Sequence, residues 1–453
     1  MGRYIPNTAQ DRQDMLEKLG LHSIEQLYED IPCEVQLKNS LALPVPLSEM
    51  ELVNHMRDIA AKNKTVDQYV CFLGAGAYDR YIPSVVRHVL ARQEFYTSYT
   101  PYQPEISQGT LQAIFEYQTM VCELTAMDVA NASMYDGASA LAEAVCMACQ
   151  ATSREKVLVA RSVHPQSKEV IGTYSRFRGI KVQEIGYADG RVDMEELKRH
   201  MDGDVAAVVV QNPNFFGVIE LLDEMAEVVH HYGGLLVVSA NPISLAVLKP
   251  PGHCGADIVV GEGQPLGNPL NFGGPYLGFM ATTQKLMRRM PGRIVGQTVD
   301  LEGNRGFVLT LQTREQHIRR EKATSNICSN EALNALAATV YLSVLGKEGL
   351  KEVALLSMRK AHYAFERLIS DAGCSPVFST PFFDEFLVKV STPVEELNRA
   401  LLSCGIIGGY AVERDYPELQ GGWLVAVTEK RTREEIDALV REVSQREGKA
   451  IDI

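Results

Sequence analysis

Apolar runs rich in β-branched residues alternate with helical patterns through the middle of this chain. The runs occupy residues 157–160, 182–185, 205–210, 235–239, 258–260 and 276–280, and helical patterns such as 194–200 and 221–232 separate most of them. Parallel strands need crossover helices and are buried on both faces. The alternation therefore predicts an α/β fold with a mostly parallel sheet, whose ligands lie at the carboxyl ends of the strands.

Different patterns flank this region. Residues 11–32 indicate two short helices separated by Gly20, in a polar segment. After about residue 330, long helical patterns at 331–345 and 349–372 precede short strands at 385–390 and 423–428 and helices at 394–403 and 433–445. A chain of 453 residues is too long for one growing core. We expect an N-terminal helical arm (1–62), a large α/β domain (63–329) and a smaller C-terminal α+β domain (330–453).

The charge and cysteine content narrow the functional class. A formal net charge of −13 opposes nucleic acid or anionic membrane as the main partner. No run approaches the roughly 18 apolar residues of a membrane span, and the polar start lacks a secretory core. Nine scattered cysteines are typical of a reducing compartment, so we expect a soluble, cytoplasmic protein without a metal site. Cys146 and Cys149 fall on a helical pattern and are interpreted as core residues.

Two segments near the predicted strand ends have the chemistry to bind an anion or a ligand. Residues 135–139 (YDGAS) open a helix whose N–H groups could cradle a phosphate, although many helices begin this way without a ligand. Residues 261–275 form a glycine- and proline-rich loop directly after a strand, which favours a functional loop over a simple turn. His164, after the strand at 157–160, fits a structural role or a catalytic one.

Two further segments suggest recognition surfaces. Residues 313–326 are cationic in an acidic chain, and their guanidinium groups could hold a carboxylate or phosphate; a solvated helix face is the alternative. Residues 95–105 place three tyrosines beside two prolines with neither helical nor strand periodicity. Rigid amphipathic rings on a loop are typical of binding surfaces.

Taken together, five motifs resemble the glycine decarboxylase (P-protein) family of the glycine cleavage system. They are residues 99–109 (YTPYQPEISQG), 116–120 (EYQTM), 131–137 (NASMYDG), 313–319 (TREQHIR) and 322–326 (KATSN). The resemblance runs over nearly the whole chain, and its length matches the N-terminal half of the family, which some organisms make as a separate alpha subunit (subunit 1).

The resemblance implies an aminotransferase-like type I pyridoxal phosphate (PLP) fold. It also implies an oxidoreductase of glycine catabolism, glycine dehydrogenase (aminomethyl-transferring), that decarboxylates glycine and passes the aminomethyl group to the lipoyl arm of H-protein. The partner would be subunit 2 (beta), in an assembly of two copies of each subunit (α2β2).

The positions that hold PLP in this family are degenerate here. No lysine lies between Lys249 and Lys285, where the Schiff-base lysine belongs. Anchoring on the Gly-Gly-Pro of 273–275 puts Gln264 at that position, and anchoring on the preceding strand puts Pro265 there. The acid that pairs with the pyridine nitrogen would fall in 237–241, at Val238. Because PLP needs an imine-forming amine and a stabilised pyridinium, we expect PLP on the partner subunit and no certain catalytic residue here.

Residue type and loop placement suggest which side chains complete the partner's site. Tyr96, Tyr99 and Tyr102 would face glycine or the lipoyl group. Arg314 and Arg319, also assigned to the pocket wall, would either hold a carboxylate or only brace the loop.

Thr324 and Ser325 would contact the phosphate of the partner's PLP. Two rival hypotheses stay open: an autonomous PLP-dependent lyase or transferase using Lys168 or Lys322, and a vestigial structural or regulatory subunit with an empty pocket.

Overall fold

The computed structural model describes residues 6–39, 41–312, 315–327 and 330–448. The chain divides into two compact units, Met1–Lys64 and Thr65–Ile453. The two units are described separately below.

The first unit is held by helix caps more than by a core. Its helices are α1 (Ala9–Leu19) and α2 (Glu49–Ala60), each begun by a capping box, Thr8 with Asp11 and Ser48 with Glu51. Gly20 ends α1 in the left-handed conformation. The second predicted short helix is a 3-10 helix, Ile24–Tyr28. Leu16 is the sole buried side chain among the residues described in this unit.

The strands of the second unit fall into one large sheet, one smaller sheet and several short pairs. They are β1 (Val70–Cys71), β2 (Val129–Ala130), β3 (Lys156–Ala160), β4 (Lys181–Ile185), β5 (Tyr187–Ala188), β6 (Arg191–Val192), β7 (Val205–Asn212), β8 (Leu235–Ala240), β9 (Ile258–Glu262), β10 (Gly278–Thr282), β11 (Ile294–Val299), β12 (Arg305–Thr310), β13 (Ser375–Pro376), β14 (Glu385–Lys389), β15 (Ile406–Ile407), β16 (Tyr410–Ala411) and β17 (Gly422–Ala426).

The helices of the second unit alternate with these strands and then dominate its C-terminal part. They are α3 (Ser84–Leu90), α4 (Gln93–Tyr96), α5 (Gln108–Thr125), α6 (Gly137–Thr152), α7 (Pro165–Arg176), α8 (Met194–His200), α9 (Leu222–His231), α10 (Gln316–Arg319), α11 (Ala332–Ser370), α12 (Val394–Ser403) and α13 (Arg433–Glu447). No helix in the described part of the chain is long and apolar enough to cross a membrane.

The central sheet has the order β2-β10-β9-β8-β7-β3-β4. The run from β9 to β4 is parallel, and at one edge β10 pairs antiparallel with both β9 and the outermost strand β2. The predicted mostly parallel α/β sheet is confirmed. Strand β7 illustrates why: seven of its eight residues are buried, as expected of a parallel strand that is covered by helices on both faces. The carboxyl ends of β3, β7, β8 and β9 consequently meet at one edge.

Helix α6 lies in the main core against this sheet. Its buried residues run almost continuously from Gly137 to Cys149, and each fully buried aliphatic side chain contributes about 1.5–3 kcal/mol. Cys146 and Cys149 are both buried, as predicted, and burial raises the pKa of their thiols to about 11 and about 12. They are core residues.

A second core lies under the antiparallel sheet β13-β14-β17-β16, with α12, α13 and the end of α11 packed on it. Gly346 (φ 59°, ψ −171°) kinks α11 between the two predicted helices. Ala338, before the kink, lies in the main core, and Ala364, beyond it, lies in the second core. Strand β1 also pairs with β15 near the C terminus, so the two regions share contacts. The predicted domain boundary at residue 330 stays a prediction.

Candidate functional site

A chamber of about 730 Å³ opens at the carboxyl ends of β3, β7, β8 and β9, where the sequence predicts ligands. Its walls carry six carboxylates, Asp136, Glu169, Glu262, Glu331, Asp384 and Glu385. Within the described part of the chain, neither lysine nor arginine lines it. An anionic ligand such as a phosphate therefore meets like charge on several sides.

The two candidate lysine positions lie at this edge and carry no amine. Gln264 is buried, and its side chain accepts from the Tyr78 backbone N–H (2.9 Å) and donates to the backbone oxygens of Tyr78 (3.1 Å) and Asn268 (2.8 Å). Pro265 is the residue that lines the chamber. Whichever position corresponds to the lysine, the side chain present cannot form an imine.

The strand that would supply the pyridine partner, β8, offers no carboxylate. Val238 is fully buried in the main core, and its neighbour Ser239 lines the chamber instead. Because side chains alternate along a strand, only one of the two can face the ligand side. A serine hydroxyl there cannot stabilise a pyridinium as a carboxylate does.

The start of α6 forms an anion cradle that the chain fills itself. Asp136 caps the helix by accepting from Ser139 N–H (2.7 Å). Glu262 then accepts three backbone N–H bonds: Gly137 donates to Oε2 (2.9 Å), and Gln264 (2.9 Å) and Leu277 (3.0 Å) donate to Oε1. Burial raises the pKa of Glu262 to about 7, against the opposing effect of these three bonds.

These observations test whether the chamber fits PLP. PLP requires a lysine amine, an acid for its ring nitrogen and a free cradle for its phosphate. The chamber presents Gln264 or Pro265, a serine and an occupied cradle. The residues present do not fit the cofactor.

His164 has the contacts of a structural residue. Its Nε2 donates to the carbonyl of Ala75 (2.8 Å), its Nδ1 accepts from Gln166 N–H (3.2 Å), and its ring packs edge-on against Phe215 (5.0 Å between centroids). Burial lowers its pKa, which keeps the ring neutral. With both nitrogens bonded, His164 ties the start of α7 to the 75–78 loop, and it also lines the chamber.

The opposite wall is fixed by charge pairs. Arg80 is buried between Asp384, with which it forms a short ion pair, and Glu429 (2.7 Å). Beside them, Glu385 accepts from Ala75 N–H (2.7 Å) and from the Tyr78 hydroxyl (2.9 Å). Burial raises the pKa of Glu385 to about 7. This wall is therefore rigid and poised to be partly neutral.

The structure brings the tyrosine loop and the basic segment together through a residue that the sequence did not indicate. Arg293 is buried, its Nη2 donates to the Tyr102 hydroxyl (2.9 Å), and its guanidinium carbon lies 5.3 Å from the centre of the Tyr102 ring. Its Nε lies 3.9 Å from Glu315, and the His317 ring packs edge-on against Tyr102 at 6.4 Å. The one feature of the sequence that could have drawn attention to Arg293 is its position as a charged residue between a Pro-Gly turn and an apolar strand.

The other tyrosines of the loop are exposed. Tyr96 ends α4 and is 71% exposed, and Tyr99 is 87% exposed. Arg319 is exposed at the end of α10, and Arg314 lies outside the described residues. All three tyrosines, Tyr102 included, are exposed side chains, and none of them is among the residues that line the chamber.

Thr324 and Ser325 are tied to the rest of the unit. The carbonyl of Thr324 accepts from Arg178 (3.1 Å), and the Ser325 hydroxyl donates to Glu143 (2.8 Å) while accepting from Ile327 N–H (3.1 Å). Glu143 is fully buried on α6, and burial raises its pKa. Ser325 therefore already has an internal role.

The lysines of the autonomous-enzyme hypothesis lie elsewhere. Lys168 pairs with Glu184 (3.1 Å) and donates to the Arg161 carbonyl (3.2 Å), and Lys322 is exposed in a 3-10 helix. Neither lines the chamber.

The fold and the edge chamber place the chain in the class of aminotransferase-like α/β proteins. An alanine–glyoxylate aminotransferase from Nostoc sp. superposes with a TM-score of 0.60 at 16% identity, covering 91% of this chain and 97% of that one. At this identity the likeness concerns the fold alone.

Closer similarity defines the family. Residues 2–443 match the family model described as glycine cleavage system P-protein. A protein of Carboxydothermus hydrogenoformans named probable glycine dehydrogenase (decarboxylating) subunit 1 is 60% identical, over 97% of this chain and 98% of that protein. A crystal structure of glycine decarboxylase (P-protein) in inhibitor-bound form superposes with a TM-score of 0.91 at 45% identity, over 98% and 100% of the two chains. The chain belongs to the glycine cleavage system P-protein family, as its motifs indicate.

Proposed function

We propose that this chain, a subunit of a glycine-decarboxylating enzyme, works beside a second subunit that carries PLP and the Schiff-base lysine. One observation supports this above all others. At the chamber edge, the two positions that could correspond to the Schiff-base lysine hold Gln264 and Pro265, and the Glu262 carboxylate fills the anion cradle. Relatives named subunit 1 imply a second subunit. The electron sink that decarboxylation requires then comes from that subunit.

In this proposal the chain's own residues orient the substrate and exclude water. Tyr96, exposed at the end of α4, and Tyr99, exposed on the loop that follows, become part of the wall that faces glycine or the lipoyl arm of H-protein. Burying an aromatic side chain as exposed as Tyr99 contributes about 2–3 kcal/mol to association. Tyr102, oriented by Arg293, presents its hydroxyl from the same loop.

The basic segment supplies the charge that the acidic chamber lacks. In the proposal, Arg314 and Arg319 hold a carboxylate or brace the loop, and Thr324 and Ser325 approach the phosphate of the partner's PLP. The assembly is proposed as two copies of each subunit (α2β2) that passes the aminomethyl group to H-protein. The cytoplasm is the proposed compartment, since the eight cysteines in the described part of the chain are free thiols.

Reductive trapping tests where the cofactor is held. The assembled enzyme and this chain alone are each incubated with PLP, treated with borohydride and mapped by peptide mass spectrometry. We expect the pyridoxyl adduct on a lysine of the second subunit and none on this chain. An adduct on Lys168, Lys322 or any other lysine of this chain would support the autonomous-enzyme hypothesis instead.

Glycine–CO2 exchange in the reconstituted assembly tests the wall. Tyr99→Phe, Tyr102→Phe and Thr324→Ala are expected to slow exchange, with Tyr232→Phe, at the partly exposed end of α9, as the matched control. Near wild-type exchange in all three variants would contradict the proposed roles. Disturbed assembly with normal exchange once assembled would favour a structural or regulatory subunit.

A further inference from the structure

Three backbone N–H groups from separate segments converge on one carboxylate at the chamber edge. Gly137 opens α6, Gln264 follows β9 and Leu277 precedes β10, and all three donate to Glu262 at 2.9–3.0 Å. Such convergence of N–H groups with the positive end of a 16-residue helix is the geometry of a phosphate site. Here the bound anion is part of the chain.

We propose that this cradle is a phosphate-binding site whose occupant is the Glu262 carboxylate, and that removing the carboxylate uncovers a site for inorganic phosphate or a phosphate monoester. Glu262 is therefore the group that excludes phosphate from the chamber. This inference concerns the chain alone and does not depend on where the Schiff-base lysine lies.

The backbone around the cradle is already set for an anion. A Cβ at position 137 would lie 2.9 Å from the Glu262 backbone N and Cβ, so glycine permits the close approach of β9. The pairing of Gly278 with Glu262 fixes the β9–β10 hairpin that carries the Leu277 N–H. The side-chain bonds of Gln264 to Tyr78 hold the third donor in place. None of these supports requires the Glu262 carboxylate itself.

Electrostatics decides between the internal and the external anion. Two like unit charges about 4 Å apart near a protein surface repel enough to weaken binding about a thousandfold. A phosphate would meet that repulsion from Glu262 directly, and further like charge from Asp136, which caps α6, and from Glu331, both of which line the same chamber. Glu331 accepts none of the three cradle N–H bonds. Substituting Glu331 therefore changes the charge of the chamber without freeing the three N–H groups.

The test is phosphate binding by the full chain. Wild type, Glu262→Ala and the control Glu331→Gln are titrated with sodium phosphate by calorimetry at pH 8, with sodium chloride at matched ionic strength as the reference. We expect Glu262→Ala to bind one phosphate per chain at least tenfold more tightly than wild type and Glu331→Gln do. The proposal would be overturned if wild type bound phosphate as tightly as Glu262→Ala, if Glu331→Gln gained as much affinity as Glu262→Ala, or if folded Glu262→Ala gained none.

A second variant covers the case in which Glu262→Ala does not fold. Glu262→Gln keeps the volume but replaces one acceptor oxygen with a donor. Amide hydrogen exchange at Gly137, Gln264 and Leu277 is expected to rise at least tenfold in Glu262→Gln and to stay unchanged in Glu331→Gln. Unchanged exchange in Glu262→Gln would show that the carboxylate does not hold these groups, and the proposal would be wrong.

Discussion

Replacing Arg293 with glutamine should loosen the tyrosine loop and slow the enzyme. Arg293 links two residues that are far apart in sequence, Tyr102 and Glu315: it donates to the Tyr102 hydroxyl, lies against the Tyr102 ring and faces Glu315. Arg293→Gln removes the charge and most of this reach. The Glu315 side chain, only 8% exposed, then loses the buried cation beside it.

The size of the effect follows from these contacts. A hydrogen bond to a charged group contributes about 1.5–3 kcal/mol, and a partly desolvated cation–π contact about 0.5–2 kcal/mol. The 3.9 Å pair with Glu315 is too long for a strong hydrogen bond, so its share is the smaller one. Because the contacts share one side chain they do not simply add, and we expect a loss of about 3 kcal/mol in the free energy of unfolding.

A double-mutant cycle measures this directly. Urea unfolding of Arg293→Gln, Tyr102→Phe and the double variant should give a coupling energy of about 1–2 kcal/mol, with Arg288→Gln, an exposed arginine nearby in sequence, as the control. In the assembled enzyme, Arg293→Gln should lower kcat for glycine–CO2 exchange more than Arg288→Gln does. Strictly additive single effects, with exchange equal to that of Arg288→Gln, would refute the reasoning.

Further variants probe the chamber. Because burial raises the pKa of Glu385 to about 7, the folded form holds a proton that the unfolded form loses near pH 4.5. The contribution of Glu385 to stability should therefore fall by up to about 3 kcal/mol between pH 5 and 8, and Glu385→Gln should make the total fall in urea titrations smaller by about that amount. Gly137→Ala should cost about 1–3 kcal/mol by calorimetry, whereas Gly172→Ala, with open space at its Cβ, should be neutral or slightly stabilising. Gln264→Lys should destabilise the chain by burying a charge and should show no PLP absorbance.

The sequence predicts the sheet well because its signals are local. Strand β7 begins with an unbroken apolar run at 205–210, and α8 and α12 have the predicted bounds, since the pattern within a few residues reports which faces are buried. The break between the two predicted C-terminal helices falls at Gly346, where a positive φ interrupts α11. Each of these features is determined by neighbours in sequence.

The site could not be predicted to the same depth because its contacts are distant in sequence. Arg293 and Tyr102 are 191 residues apart, and Glu262 and Gly137 are 125 apart. Sequence periodicity does not report such pairs. The sequence therefore indicated the tyrosine loop but not Arg293, which anchors it, and the start of α6 but not Glu262, whose carboxylate binds there.

The departures from a PLP site reinforce one another. Gln264 stands at the lysine position or directly beside it, and its side chain also holds the loop at Tyr78 that forms part of the chamber wall. The same residue's backbone N–H helps to hold Glu262 in the cradle. A lysine at position 264 would supply an amine but would break the Tyr78 contacts and leave Glu262 in the cradle. Removing the Glu262 carboxylate would free the cradle but would supply no amine. Because these replacements are joined to one another by hydrogen bonds, we expect that no single reversion restores the site, and this coupling supports the proposal that a second subunit holds PLP.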